Sequence, residues 1–344
     1  MSVIKLQGQE EKAKGIYYEV DTSNDPIGIG GMGRVYRGVC VNEQTNEKKP
    51  VAIKFMYEDL PDQAIAKARR EASIQVRNDN LVEMLGFIET SFVSGNGTTE
   101  KHYHVVSELL HGVSLSDALM GKSRDFEGNV VPFVSEMQQL LRTHPEQFAR
   151  RIIKNILSGL TALHDKGYIH RDIDPTNIML TSDNNVKLID FGIANKMDTL
   201  IGNVSSSFTP EGYNLGKPGY AAPELVRGDV NHQNETTDIY AVGILLFQLV
   251  CGHLPFEGTA QEVKEAQLKK KIPLSEIKDS ALRQVIRKAT QKEQSKRFQS
   301  ASEFRVALDI SVNSQESFFY KWGIWLCASL IAGVLFGVLL ALLF

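Results

Sequence analysis

At 344 residues, with 42% hydrophobic and 23% charged side chains, the chain is long enough for two lobes or domains and ordinary for a folded protein. A formal net charge of −3, with no long run of one sign, excludes a general affinity for nucleic acid or anionic membrane. The cysteines Cys40, Cys251 and Cys327 are far apart and lack metal-ligand spacing, and residues 1–14 lack the apolar core of a signal peptide.

Ile16 to Val20 predicts a short strand, and a polar turn ending at Pro26 leads to Gly28-Ile-Gly-Gly-Met-Gly-Arg-Val35. In a dinucleotide fold a helix would open at the third glycine of such a pattern. Here Arg34 to Val41 alternates as a strand does, so the element is a hairpin flap whose glycines let backbone approach phosphates. Its bland alternative is a glycine-rich hairpin without a ligand. Val51-Ala-Ile-Lys-Phe55 puts Val51, Ile53 and Phe55 on one strand face and Ala52 with Lys54 on the other. A small residue there leaves room for a flat base, while the ammonium reaches phosphate oxygens. Pro61 to Val76 reads as an alanine-rich helix with Glu71 as its carboxylate after the first turn. Strands are expected over Val82 to Ile88 and His104 to Leu110. The polar stretch Gly121 to Gly128 reads as a surface excursion, and the apolar spacing of Gln147 to Lys166 as a core helix.

Tyr168-Ile-His-Arg-Asp-Ile-Asp-Pro-Thr-Asn-Ile-Met-Leu180 is a polar loop held by apolar flanks, and Pro175 keeps it from being helix. It sets the carboxylate of Asp172 a few residues before the amide of Asn177. A strand, Val186 to Ile189, runs straight into Asp190-Phe-Gly192. The hydroxyl-rich stretch Ile193 to Ala221 ends at Ala222-Pro-Glu224. Then Thr236-Thr-Asp238 precedes Ile239 to Val250, apolar nearly all round and therefore a buried helix. Any one aspartate is more often a turn residue than a catalyst; the ordered set is what carries weight.

In that order these motifs resemble the G-x-G-x-x-G-x-V, V-A-I-K, H-R-D-x-x-x-x-N, D-F-G and A-P-E signatures of the protein kinases. The chain looks like a eukaryotic-like Ser/Thr kinase of the bacterial kind over residues 16–310, with 1–15 as an extension and 311–321 as a linker. The resemblance implies an α+β, bilobal fold with a small β-rich lobe and a larger helical lobe. It implies transfer of the ATP γ-phosphate to Ser/Thr hydroxyls of proteins, autophosphorylation included, with ATP and Mg²⁺ as cofactors and no nucleic-acid partner. Asp172 would be the base, and Asn177 and Asp190 the metal ligands. Gly28, Gly30, Gly31, Gly33, Val35, Ala52, Lys54, Glu71, Glu108 and Leu110 would bind the nucleotide, with Ser107 guarding access behind the adenine. Glu71 would pair with Lys54, although it stands about two residues nearer the next strand than is usual. Asp238 would brace the catalytic loop, Arg297 would pair with Glu224, and Arg171 would receive a phosphate placed among Thr199, Ser205, Ser206, Ser207, Thr209 and Tyr213. The alternative is a membrane-tethered pseudokinase that serves as a nucleotide-binding scaffold.

Two departures fall on residues that would touch each other. Asp174 stands where these kinases carry a lysine, and Lys217 where they carry a threonine. A relocated cation is the simplest account, with Lys217 paired to Asp174 and both counted in the catalytic set. Finally, Trp322 to Phe344 is an uncharged apolar run of about the ~20 residues a spanning helix needs. It predicts a single-pass membrane anchor with the kinase domain on the cytoplasmic side. Its small residues Ser329, Gly333, Gly337 and Ala341 contain G-x-x-x-G and suggest a homodimer.

Overall fold

Period-two alternation builds the small lobe. In a computed structural model of the chain, residues 3–93, 99–191, 194–195 and 217–310 are described. Strand β1 (Val3–Leu6) and helix α1 (Gln9–Lys14) precede β2 (Ile16–Asp21), β3 (Gly28–Gly30), β4 (Gly33–Asn42) and β5 (Lys48–Met56). Helix α2 (Asp62–Ala72) leads to β6 (Met84–Val93) and β7 (Thr99–Glu108). The sheet order is β1-β2-β4-β5-β7-β6, antiparallel throughout, with β3 folded back on β4. Its outer face buries Leu6, Tyr18, Val20, Val51, Ile53 and Val106. Its inner face, bearing Ala52 and Lys54, turns to the cleft.

The large lobe holds β8 (Gly112–Ser114), α3 (Leu115–Leu119), α4 (Pro132–Thr143), α5 (Pro145–Asp165), β9 (Tyr168–Ile169), β10 (Ile178–Thr181) and β11 (Val186–Leu188). After β12 (Ala194–Asn195) come α6 (Pro223–Val226), α7 (Glu235–Cys251), α8 (Ala260–Lys269) and α9 (Ser280–Ala289), and a last helix runs over 301–310. Asn234 opens α7 by accepting from the Thr236 N–H and forming a capping box with Thr237, and Gly252, at φ 83°, closes it. Most of α7 is buried, so it is the pillar on which α5 and α9 pack. The two lobes are those the motifs predicted.

The structure corrects the expectation of a membrane anchor. Among the described residues no helix is long and apolar enough to cross a membrane. The longest, α5, has 21 residues but carries Glu146, Arg150, Arg151 and Lys154. The most apolar, α7, has 17, short of the ~20 that span a bilayer. Trp322 to Phe344, with Ser329, Gly333, Gly337 and Ala341, lies outside the described residues. A tether, a single-pass location and a dimer through that row therefore have no structural support.

Candidate active site

Between the lobes lies a cleft of about 490 Å³, the size of a small-molecule site. Val35 and Ala52 line it from the small lobe and Met179 and Ile189 from the large one, an apolar slot suited to a flat ring. Glu108, Leu109 and Leu110 form its connecting edge, and Lys54, Glu71 and Asp190 its polar end. Ser107 also lines it, with Ala68, Val82, Met84 and Val105. Of the flap glycines only Gly28 reaches the cleft; Gly30 and Gly31 form the exposed tip with open space about them. Gly33 is needed for packing, since a Cβ there would stand 2.1 Å from the Phe55 carbonyl oxygen.

Lys54 Nζ lies 2.9 Å from Asp190 Oδ1. Burial alone would lower the Lys54 pKa, but the Asp190 and Glu71 charges outweigh it and hold the ammonium above its ordinary value. Glu71 lines the same end without an ion pair to Lys54; its Oε1 accepts the Phe191 N–H at 3.0 Å. The expected Glu71–Lys54 pair is thus replaced by a brace on Asp190-Phe-Gly. Burial, and then the Asp190 charge, push the Glu71 carboxyl up to about 7.

The catalytic-loop candidates lie beyond this end. Arg171, at φ 69°, and Asp190, at φ 52°, hold the left-handed conformation that side chains avoid. Such backbone persists only where neighbours over-determine it. Asp238 on α7 does so for the first, accepting the Arg171 N–H at 2.7 Å and the His170 N–H at 2.8 Å. Burial pushes the Asp238 carboxyl up, yet its bonds to His164 and the Arg171 N–H win and its pKa falls below the usual range. Asp172 goes the other way: burial, with Asp174 adding to it, raises its pKa. Asn177 Nδ2 donates to the Asp172 carbonyl at 2.9 Å, which leaves the amide oxygen as the atom for a cation.

Asp174 is buried and caps the turn Pro175–Asn177 by accepting the Thr176 N–H at 2.7 Å. Lys217 Nζ lies 2.9 Å from the same Asp174 oxygen and 3.2 Å from Thr176 Oγ1. Asp172, Lys217 and Arg171 line one small recess. The hydroxyls from Thr199 to Tyr213 lie outside the described residues.

Sequence reasoning missed three supports. The Glu108 carboxylate Oε1 pairs with Lys187 Nζ at 2.7 Å and accepts the Glu83 N–H at 2.9 Å, which ties the connecting edge of the cleft to β11. His170 is wholly buried, with its ring edge-on to Phe191 at 5.5 Å. His164 Nε2 lies 2.7 Å from Asp238. A buried histidine gives no pattern in sequence; only its place before Arg171-Asp172 marks His170.

A glycine flap, a strand lysine, a braced loop and Asp190-Phe191 about one cleft are the arrangement of a protein kinase domain. The protein kinase domain family matches residues 22–305, and the chain belongs to that family. It is 30% identical over 311 residues to the serine/threonine-protein kinase pkn2 of Myxococcus xanthus, covering 85% of this chain and 32% of that protein. To the serine/threonine-protein kinase PknL of Mycobacterium tuberculosis it is 30% identical over 234 residues, 67% of this chain and 49% of the other. The maternal embryonic leucine zipper kinase of Danio rerio is 32% identical over 246 residues, 70% and 28% of the two chains. The chain therefore spans a third to a half of the length of its bacterial relatives.

Proposed function

We propose that the chain transfers the γ-phosphate of ATP to serine and threonine hydroxyls of proteins, itself included, with Mg²⁺. The observation that carries this is the convergence of Lys54, Asp190 and Glu71 on the polar end of an apolar slot, with Asp172 and Asn177 braced beyond it. The donor set fits the groups. Asp190 and Asn177 offer the hard oxygens Mg²⁺ prefers, and Lys54 offers a cation for non-transferred phosphates. ATP, when bound, supplies the phosphoryl group and a charge that the metal neutralises.

The chain's own part is alignment and proton handling. Asp172 takes the hydroxyl proton as the acceptor O–P bond forms and the bond from the γ-phosphorus to the β-phosphate oxygen breaks, releasing ADP; its raised pKa brings its basicity closer to neutral, where a general base works best. The sign follows: activity is present above the raised Asp172 pKa and falls as pH drops through it. Lys217, held at Asp174, directs positive charge toward the transferred phosphate, the task of the lysine that position 174 lacks. Pro175 and the relatives named above favour Ser/Thr over tyrosine as acceptor.

Transfer of labelled γ-phosphate from ATP to a generic basic protein, followed by phosphoamino-acid analysis, tests this. Asp172→Ala is expected to lower kcat about 10²- to 10⁴-fold, with nucleotide binding kept. No transfer by the wild type, with nucleotide still bound, would leave a scaffold rather than an enzyme.

A further inference from the structure

Residues 123–131 fold into a hairpin, held by its own hydrogen bonds, at the mouth of the cleft. Arg124 and Val130 form an antiparallel bridge, and the Val131 N–H donates to the Ser123 carbonyl at 2.8 Å. Asp125 Oδ1 accepts the N–H groups of Glu127 at 3.0 Å and Asn129 at 2.9 Å, and Gly128, at φ 84°, makes the turn. The hairpin leans on the strand connection: the Phe126 ring lies 5.1 Å from the His111 ring, and His111 Nδ1 is 3.7 Å from Asp125 Oδ2. Arg124, Asp125 and Phe126 line the cleft itself.

The tip crosses to the other lobe. Glu127 Oε1 accepts from Arg37 Nη1 at 2.5 Å. Arg37 lies on β4, opposite Ala52 in register and two residues beyond Val35, so it shares the cleft-facing side of that strand. This strand continues directly from the glycine flap. The Arg37–Glu127 pair therefore ties the strand that carries the flap to the hairpin.

We propose that hairpin 123–131 is a strap across the nucleotide cleft, latched by Arg37 and Glu127, that sets the rate at which nucleotide leaves. This rests on the ATP reading above. The latch is partly solvated, with Arg37 56% and Glu127 32% exposed, so its effect is bounded. An exposed pair shifts an equilibrium by about 1.4- to fivefold. The hairpin's internal bonds fix Glu127 beforehand, which spares ordering entropy and favours the upper part of that range.

The test is stopped-flow dissociation of a fluorescent ADP from the full chain with Mg²⁺, chased by unlabelled ADP, beside thermal melting. Arg37→Glu and Glu127→Arg are each expected to release the probe about three- to fivefold faster with little change in melting temperature. The double variant, which restores opposite charges, should return within about twofold of the wild type. Single variants that release the probe at the wild-type rate, or a double variant no slower than the singles, overturn the strap alone. So does a fall in melting temperature with no change in rate. A wild-type chain that binds no labelled ADP removes the nucleotide reading and the strap together.

Discussion

Two ion pairs anchor the ends of one short stretch, Lys217 to Glu224, and they are built differently. At the far end Arg297 grips both oxygens of Glu224, at 2.7 and 2.9 Å, with exposures of 0% and 5%. The remaining guanidinium protons go to the carbonyls of Thr236, Gln291 and Lys292, and Thr237 Oγ1 donates to the same carboxylate. At the near end Lys217 is 51% exposed and touches Asp174, which is 5% exposed. The first pair is dry at both ends and saturated; the second has one end in water. A saturated pair can only hold, whereas a half-wet lysine can exchange one anion for another. The difference suits Glu224 to anchoring and leaves Lys217 free for the phosphate handling proposed above.

The largest expected effect breaks the dry pair. Arg297→Ala leaves Glu224 buried without its partner and is expected to cost about 3–5 kcal/mol of unfolding free energy, read by denaturant titration. A loss below about 1 kcal/mol would show the two pairs to be alike. Next comes the wet pair. Lys217→Thr is expected to lower kcat about tenfold, equivalent to about 1.4 kcal/mol of barrier, while stability moves by less than about 0.5 kcal/mol. Asp174→Asn keeps an oxygen for the Thr176 N–H and removes the charge; combined with Lys217→Thr it should cost no more than either change alone. Additive losses would uncouple the two residues. The smallest effect concerns Glu71. As an acceptor for the Phe191 N–H it can be replaced by an amide, so Glu71→Gln should lower kcat/KM by less than about threefold. A loss as deep as that of Lys54→Ala would restore the ion pair in place of the brace.

The family and the frame of the candidate site were legible because they are written in short, ordered strings: the flap glycines, Ala52 with Lys54, Asp172 with Asn177, and Asp190-Phe-Gly. The facing of Lys54 into the cleft follows from period two alone. Even the meeting of Asp174 with Lys217 could be argued from two departures at neighbouring sites. What stayed hidden depends on distance in the chain. Glu71 reads as the partner of Lys54 until the Phe191 N–H, 120 residues on, is seen to take its carboxylate. Gly121 to Gly128 reads as a polar excursion because nothing local reveals that Glu127 meets Arg37, 90 residues earlier. The apolar tail was the reverse case, a strong local signal read as an anchor with no described helix to match it.

The family match begins at residue 22, after β1, α1 and β2 have passed. Yet β2 pairs with β4 from Ile16↔Asn42 to Val20↔Gly38, and β1 covers β2 in turn. A chain trimmed to the matched region would lose Leu6, Tyr18 and Val20 from the outer core and bare the N–H and C=O groups of β4 as an open edge. Open edges recruit other strands, so the trimmed domain would tend to associate with itself by main-chain pairing. The opening residues act as a selvage on the sheet, finishing a border that would otherwise catch on its neighbours.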